Sequence, residues 1–298
     1  MIFDRNLLHA RRARAARLGP ATFLIERAAG ELASRLSAVL RRFEVAVDLG
    51  TPTDAVRRTI ADRVGAIMAV SQEAVVSHSG GRCAGGRLAV AADEEALPFR
   101  DASLDLVVSA LTLQFVNDLP GTLIQICRAL RADGLFLAAM IGGESLVELR
   151  EAFALAEAEV EGGVSPRVAP FADLRDLGAL LQRAGFALPV TDIDRVTVRY
   201  ASPLALMHDL RRMGAGNILV ERRRTPLRRA TLRRLTEIYA ERFADPDGRI
   251  RATFEIVWLS GWAPHESQQQ ALKPGSARVR LADALRTEEI STGEKAGG

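Results

Sequence analysis

A short apolar run that ends in an acid and a glycine constrains the fold of this chain more than any other stretch. Residues 45–50 read Val-Ala-Val-Asp-Leu-Gly, and a helix is predicted over residues 55–64. A buried strand that turns at a glycine into a helix is typical of the α/β units that bind nucleotides. Open parallel sheets bind ligands at the ends of their strands, so a ligand site is predicted beside Asp48, Leu49 and Gly50.

The loop after Gly50 differs in composition from a typical nucleotide loop. Such loops use two or three glycines, which let backbone N–H groups approach the ligand closely. Here residues 51–54 read Thr-Pro-Thr-Asp, and Pro52 has no N–H to donate. The loop therefore predicts weakened contact with a bound cofactor.

Apolar runs alternate with helical patterns through the first half of the chain. Strands are predicted at 44–49, 65–70, 88–92, 104–111 and 135–141, with a helix at 119–130 and a glycine-rich turn at 80–86. Continuous apolar strands that alternate with helices predict a parallel sheet covered by helices on both faces.

The pattern changes after residue 144. Helices are predicted at 145–161, 170–184, 204–213 and 226–243, and strands at 186–200 and 253–262, the last one antiparallel. We therefore expect N-terminal helices over 1–43 and a main domain over 44–272 with a helical insertion at 201–250. A tail over 273–298 loses periodicity and is expected to be partly disordered.

Composition narrows the class of protein. No apolar run reaches the ~20 residues that cross a bilayer, so no membrane span is predicted. The two cysteines, Cys83 and Cys127, have neither metal-ligand spacing nor a disulfide framework. They suit a reducing cytoplasm, and no metal site is expected.

Two arginine-rich stretches each admit two interpretations. Residues 1–17 carry five arginines and one acid, which fits an organelle transit peptide or a surface helix that turns Leu7, Leu8 and Ala15 inward. Residues 222–234 carry seven arginines, which suggests a nucleic-acid site. No aromatic residue interrupts that run, so a solvated helix face suited to an acidic protein is favoured, and nucleic acid is not expected as a partner.

Acids follow the third predicted strand in the stretch Ala91-Ala92-Asp93-Glu94-Glu95. An acid at a strand end can accept a hydrogen bond from an exocyclic amine such as that of adenine. The alternative is a turn with solvated acids. The next strand, which reads Ser103-Leu-Asp105-Leu-Val-Val-Ser109, favours the adenine interpretation.

The order of these motifs resembles that of class I S-adenosylmethionine (SAM)-dependent methyltransferases. It runs through Asp48-Leu-Gly50, Asp93-Glu94-x-x-Leu97-Pro98-Phe99, the strand at 103–109 and Leu130-Arg-x-Asp133-Gly134. Downstream motifs resemble one subfamily, among them Phe115-Val-Asn117-Asp118, Gly142-Gly143-x-Ser145-Leu, Glu161-Gly-Gly163 and Gly261-Trp262-x-x-His265. That subfamily contains mitochondrial complex I assembly factor 5 and its alphaproteobacterial relatives. The chain is more distantly similar to the biotin-pathway malonyl-carrier methyltransferase.

The resemblance implies a Rossmann-like α/β fold with a seven-stranded, mostly parallel sheet, an antiparallel strand and the helical insertion. It also implies SAM as the cofactor. The later loop glycines are absent, and Val70-Ser71-Gln72 stands where such enzymes carry the ribose-binding acid, so weak or lost SAM binding is predicted. The cofactor-binding residues implied are Asp48, Leu49, Gly50, Ser71, Asp93, Glu94, Ser109 and Leu111.

Two functions follow from the resemblance. The first is a SAM-dependent methyltransferase that acts on a protein or small-molecule acceptor. Positioning of the two reactants supplies most of the catalysis of methyl transfer, and no catalytic residue is assigned. The second is a non-methylating complex I assembly factor, or pseudo-enzyme, that binds a client subunit or modifies an arginine of it. The alphaproteobacterial resemblance implies the cytoplasm of a bacterium as the location.

Overall fold

The computed structural model describes residues 1–72, 88–269, 279 and 281–288 of the chain. The chain divides into two compact units, Met1–Pro264 and His265–Gly298. The second unit contains a short helix, Leu281–Leu285. The glycine-rich turn predicted at 80–86 and most of the tail predicted at 273–298 lie outside the described residues.

A seven-stranded sheet forms the centre of the first unit. In chain order the strands are β1 (Phe43–Leu49), β2 (Val64–Val70), β3 (Leu88–Val90), β4 (Leu104–Ala110), β5 (Leu130–Ile141), β6 (Ala187–Tyr200) and β7 (Ile250–Trp262). Their order across the sheet is β3-β2-β1-β4-β5-β7-β6. Strands β1 to β5 pair in parallel, and β7 runs antiparallel between β5 and β6. The predicted mostly parallel sheet with an antiparallel strand is confirmed.

Helices cover both faces of this sheet. They are α1 (Arg5–Arg17), α2 (Phe23–Ser37), α3 (Ala55–Thr59), α4 (Leu119–Ala129), α5 (Val147–Glu161), α6 (Leu174–Arg183), α7 (Pro203–Arg212) and α8 (Arg229–Phe243). Helices α4 and α6 bury Leu123 and Leu177 against one face, while α2 and α3 bury Leu32 and Val56 against the other. None of the described helices is long and apolar enough to cross a bilayer.

The helical insertion consists of α7 and α8, which pack with α5 around a third core. Leu149 of α5, Leu206 of α7 and Tyr239 of α8 are buried there. Helix α1 joins a smaller cluster, in which Leu8 packs near Ile218, a residue of the loop after α7. The insertion and α1 therefore share a boundary.

Most predicted boundaries shift by a few residues in the structure, and two regions differ further. The helix predicted at 55–64 ends at Thr59, and a 3-10 turn, Ala61–Arg63, leads into β2. The fully buried Ile60 lies at this break, where the chain has to reverse to place β2 beside β1. The strand predicted at 135–141 begins earlier, at Leu130, so the motif residues Asp133 and Gly134 lie inside β5. Asp133 adopts a φ of 60° there, beside a register shift in the pairing of β4 with β5.

A glycine is required where β1 turns toward α3. Gly50 has a φ of 70°, and its N–H donates to the carbonyl oxygen of Val70 at 2.7 Å. A Cβ atom at this position would lie 2.5 Å from Cγ2 of Thr112 and 2.9 Å from Oε1 of Glu94. Both the left-handed backbone and the crowding thus exclude a side chain.

The crowding can be measured separately from the backbone strain. Gly162, at the end of α5, has a φ of 71° and no heavy atom within 4 Å of a built Cβ. Gly162→Ala should cost about 1 kcal/mol of unfolding free energy for the left-handed conformation. Gly50→Ala should cost about 2 kcal/mol more, because Thr112 and Glu94 have to move. Urea denaturation of both variants tests this, and equal losses would contradict it.

Candidate functional site

The candidate site lies at the edge where the carboxyl ends of β1, β2, β3 and β4 meet. Strand order reverses between β1 and β4, which is where open α/β sheets bind ligands. Because these four strands are neighbours, the edge brings together the sequence-predicted residues. They are Asp48 and Leu49 at the end of β1 with Gly50 after it, Ser71 after β2, Asp93 and Glu94 after β3, and Ser109 in β4 with Leu111 after it.

Hydroxyl groups at the end of β4 bind the loop after β1. Oγ of Ser109 donates to the carbonyl oxygen of Leu49 at 2.7 Å, and Oγ1 of Thr112 donates to that of Gly50 at 2.6 Å. All four residues are buried. The polar groups of this loop are thus bonded within the chain itself.

Asp48 is a buried acid with one charged partner. Its side chain is fully buried, and Oδ2 accepts a hydrogen bond from Nη1 of Arg57 on α3. The other oxygen, Oδ1, is also buried, and a hydrogen bond with the Thr51 side chain acts on this carboxyl together with Arg57. Burial raises the pKa of Asp48 to about 6, although the charge of Arg57 opposes the shift.

Three carboxylates after β3 surround the guanidinium of Arg5, the first residue of α1. We call Asp93, Glu94 and Glu95 the acid trio. Nη1 of Arg5 donates to Oδ1 of Asp93, and Nη2 donates to Oε2 of Glu94. Oε1 of Glu95 lies 3.2 Å from Nη1. The Glu94 side chain is only 1% exposed, so Arg5 neutralises a charge that water barely reaches.

Asp93 has further donors besides Arg5. The backbone N–H of Glu95 donates to Oδ1 at 2.8 Å, and Nε2 of Gln72 donates to Oδ2 at 2.5 Å. Partial burial acts to raise the pKa of Asp93, but the bonds from Glu95 and Arg5 outweigh it and hold that pKa below its usual value. Ser71 contributes backbone bonds: its N–H donates to Val90 and its carbonyl oxygen accepts from Ala92, both at 3.3 Å.

Helix α1 makes two more polar contacts near the site. Arg12 is buried, and its Nη2 donates to Oγ1 of Thr112 at 3.3 Å. Asp4 caps the helix by accepting from the N–H of Leu7 at 3.0 Å, and its other oxygen accepts from Arg222 at 3.2 Å. Polar contacts therefore hold the helix at its first turn and near its middle.

Sequence analysis missed Arg5, Arg12 and Arg57 as residues of the site, and it missed the contact of Gln72 with Asp93. For α1 a signal was present, because Arg5 and Arg12 are seven positions apart and share a helix face with the inward residue Leu8. For Arg57 and Gln72 no pattern in the sequence indicates the acid that each would meet.

A large cavity opens beside this edge of the sheet, between α1, α5 and α7. Its volume is about 1330 Å³, and Pro52, Thr53 and Leu111 line it on the side of the sheet. Nine arginines also line it, while no acid does among its described lining residues. We call it the arginine cavity; its arginines are Arg11, Arg12 and Arg17 on α1, Arg211 and Arg212 on α7, Arg167, and those at 222–224.

Leu111 holds a strained position between the sheet edge and this cavity. It adopts a φ of 54°, and its N–H donates to the carbonyl oxygen of Ala139 at 2.8 Å. A left-handed backbone is costly for a residue with a Cβ and is frequent at ligand sites. Within the described ranges, no group of three or more His, Cys, Asp or Glu side chains is placed to hold a metal ion.

Comparison with known proteins agrees with this geometry. A methyltransferase-domain family matches residues 47–138. The zebrafish (Danio rerio) protein named arginine-hydroxylase NDUFAF5, mitochondrial, is 37% identical over 95% of this chain and 89% of its own length. The human protein of the same name is 38% identical over 95% of the chain and 83% of its own length. The chain belongs to the NDUFAF5 family.

More distant similarities agree with this assignment. The malonyl-[acyl-carrier protein] O-methyltransferase of Laribacter hongkongensis is 39% identical over 62% of this chain and 60% of its own length. Among solved structures, the YcgJ protein of Bacillus subtilis superposes with a TM-score of 0.52 at 14% identity, covering 78% of this chain and 98% of that one. This structural likeness shows the fold, and the predicted class I methyltransferase type is confirmed.

The buried acid Asp48 gives a pH dependence with a definite sign. Its pKa in the folded chain is about 6, above the ordinary 3.8, so between these values the folded chain keeps a proton that the unfolded chain has lost. Its contribution to the free energy of unfolding therefore falls as pH rises through this window. Relative to wild type, Asp48→Asn should gain about 3 kcal/mol between pH of about 4 and about 7, at ~1.4 kcal/mol per pKa unit.

Urea unfolding at a series of pH values measures this difference. Asp101→Asn is the control, because Asp101 is an exposed carboxylate that pairs with Arg128 at the surface. Relative to wild type, Asp101→Asn should not gain unfolding free energy as pH rises through this window. A constant difference between Asp48→Asn and wild type across the window would contradict the assignment.

Proposed function

We propose that this chain binds a protein client and modifies an arginine of that client, and that it does not transfer a methyl group from SAM. The observation that carries the proposal is that arginines of the chain itself bind the acids of the cofactor edge. Arg5 binds Asp93 and Glu94, and Arg57 binds Asp48. The names of the relatives supply arginine hydroxylation as the specific reaction. In that reaction one oxygen atom of dioxygen would enter a C–H bond of the client arginine, and an external two-electron reductant would convert the second oxygen atom to water.

The adenine end of the edge does not fit SAM as it is folded. An adenine amine would need an oxygen of Asp93, but Oδ1 accepts from Arg5 and Glu95, and Oδ2 accepts from Gln72. Oε1 of Glu94 points toward Gly50 into a space too small for a methyl group. The guanidinium of Arg5 would thus compete with the amine for Asp93.

The other end of the edge also lacks donors and acceptors for SAM. Ser71 and Gln72 stand where an acid would hold the ribose hydroxyls, and Pro52 removes an N–H from the loop. Each unmatched polar group costs ~1–3 kcal/mol. If two or more polar groups of SAM lack a partner, a micromolar affinity for SAM shifts toward millimolar.

The acid trio supports an arginine-directed activity. It holds the guanidinium of Arg5 through both terminal nitrogens, each bonded to a different carboxylate. Such forked pairing is specific for arginine, since the planar guanidinium presents its donors at fixed angles. A client arginine would reach these carboxylates by displacing Arg5.

Weak SAM binding is the first expected outcome. Calorimetric titration of the wild-type chain should give an affinity near millimolar. Arg5→Ala should bind SAM up to about tenfold more tightly, because one competing donor on Asp93 is removed. Thermal unfolding checks that the variant is folded, since Glu94 loses its partner. Arg27→Ala is the matched control, since Arg27 forms an exposed ion pair with Asp194 on the far strand β6. Wild-type binding at low micromolar concentration would refute the proposal.

Arginine modification is the second expected outcome. In cells of the source organism that contain this chain, an arginine of a respiratory complex I subunit should carry one added oxygen. Deletion of the gene should remove it, and the wild-type gene supplied in trans should restore it. Mass spectrometry of the isolated complex measures this. An added methyl group in place of the oxygen would favour methyl transfer, and an unchanged subunit would contradict the proposal.

A SAM-dependent methyltransferase is the second candidate function. The methyltransferase-domain match favours it, because residues 47–138 run from within β1 to within β5 and include the whole candidate edge. The SAM titration separates the two candidates. Under either one, we propose the cytoplasm of a bacterium as the location, with a protein client as the partner.

A further inference from the structure

Gln114 presents an unmatched acceptor to the arginine cavity. It lies just after β4 and lines the cavity, and its side chain is buried with only 7% of the residue exposed. Its Oε1 is buried without a hydrogen-bond partner. Buried acceptors in folded proteins are nearly always paired, so this oxygen indicates where a ligand would place an N–H or O–H group.

The charge of the cavity calls for an anion on the same ligand. Arg11 is half-buried there, and burial together with the charges of Arg222 and Arg211 lowers its pKa. Within the part of the chain that the structure describes, Arg11, Arg211 and Arg224 form no ion pair. Asp4 offsets part of this positive charge, since it acts on Arg11 and pairs with Arg222. The remaining guanidiniums repel one another, and a bound carboxylate would relieve that repulsion.

The size and walls of the cavity favour a ligand larger than a single anion. Its volume of about 1330 Å³ exceeds that of most small-molecule pockets. Apolar side chains such as Leu146, Phe153 and Leu210 form part of its wall. The ligand should therefore combine apolar groups, several anionic groups and at least one hydrogen-bond donor.

We propose that the arginine cavity binds an acidic polypeptide segment, with its carboxylates on Arg11 and Arg211 and one of its N–H groups on Oε1 of Gln114. A hydrocarbon chain carries no donor for Gln114. A nucleic acid would need open aromatic faces for stacking, whereas Phe115 packs edge-on against Phe171, with ring centroids 6.3 Å apart.

This inference rests on the proposed function, in which the ligand is a protein client, and it states the chemistry of that client. The client segment would carry Asp or Glu close to the arginine that is modified. An isolated arginine would be repelled by the cavity, so the flanking acids are what bring the segment to this edge of the sheet.

Fluorescence anisotropy tests the cavity with a panel of short fluorescein-labelled peptides. Each peptide alternates Asp or Glu with Leu and Gly at a different spacing, and each has a matched peptide with Asn and Gln in place of the acids. At physiological ionic strength the acidic peptides should bind and the matched neutral ones should not. Arg11→Gln and Arg211→Gln should each weaken binding about tenfold, and Gln114→Leu about fivefold.

Arg233→Gln is the matched charge control. Arg233 is 86% exposed on α8, pairs with Glu237 and does not line the cavity. Its loss should leave peptide affinity unchanged, and thermal unfolding should show that all four variants are folded. An equal loss for Arg233→Gln and Arg11→Gln, or no Arg11-dependent binding across the panel, overturns the proposal. Displacement of the peptide by a single-stranded oligonucleotide or by phosphatidylglycerol vesicles at lower concentration also overturns it.

The SAM titration of the wild-type chain distinguishes failure of the proposed function from failure of the cavity proposal. Tight SAM binding refutes the proposed function, while the peptide result still reports on the cavity. Absence of Arg11-dependent peptide binding refutes the cavity proposal and leaves the SAM result unchanged.

Discussion

A buried carboxylate, Glu94, imposes a requirement on the rest of the structure. A buried charge that loses its partner destabilises a fold by ~3–5 kcal/mol, so a cation has to reach it. Arg5 does so from 89 positions earlier in the chain. This pairing fixes where α1 lies, and α1 in turn supplies one wall of the arginine cavity and brings Arg12 to Thr112. The shape of the candidate site thus depends on one long-range ion pair.

The sheet could be predicted from the sequence, because apolar strands that alternate with helices have few other ways to be covered. The positions of Asp48 and Asp93 at one edge followed from the shared direction of parallel strands. The side chains that bind these two acids could not be predicted from the sequence. Arg5 is separated from Asp93 by 88 positions, and no local pattern encodes a contact of that range. Helix α5 begins at Val147 instead of residue 145, because Ser145 exchanges hydrogen bonds with the backbone of Glu255 on β7.

The site separates charge into two regions on either side of α1. The acid trio lies at the end of β3 with Arg5, whereas the cavity carries arginines and no acid among its described lining residues. A ligand of a single charge would be attracted to one region and repelled by the other. A polypeptide with both an arginine and nearby acids is complementary to both. The charge pattern is therefore more selective than either region alone.

Two adjacent residues connect these regions. Asp4 faces Arg222 in the cavity wall, and Arg5 faces the acid trio. A ligand that shifts the first turn of α1 in order to reach one region also changes the contacts of the other. Thermodynamic linkage then requires the effect to be reciprocal: each occupant changes the affinity for the other by the same factor. A single helical turn would thus couple the acid trio to the arginine cavity, with the sign set by whether both ligands favour the same position of α1.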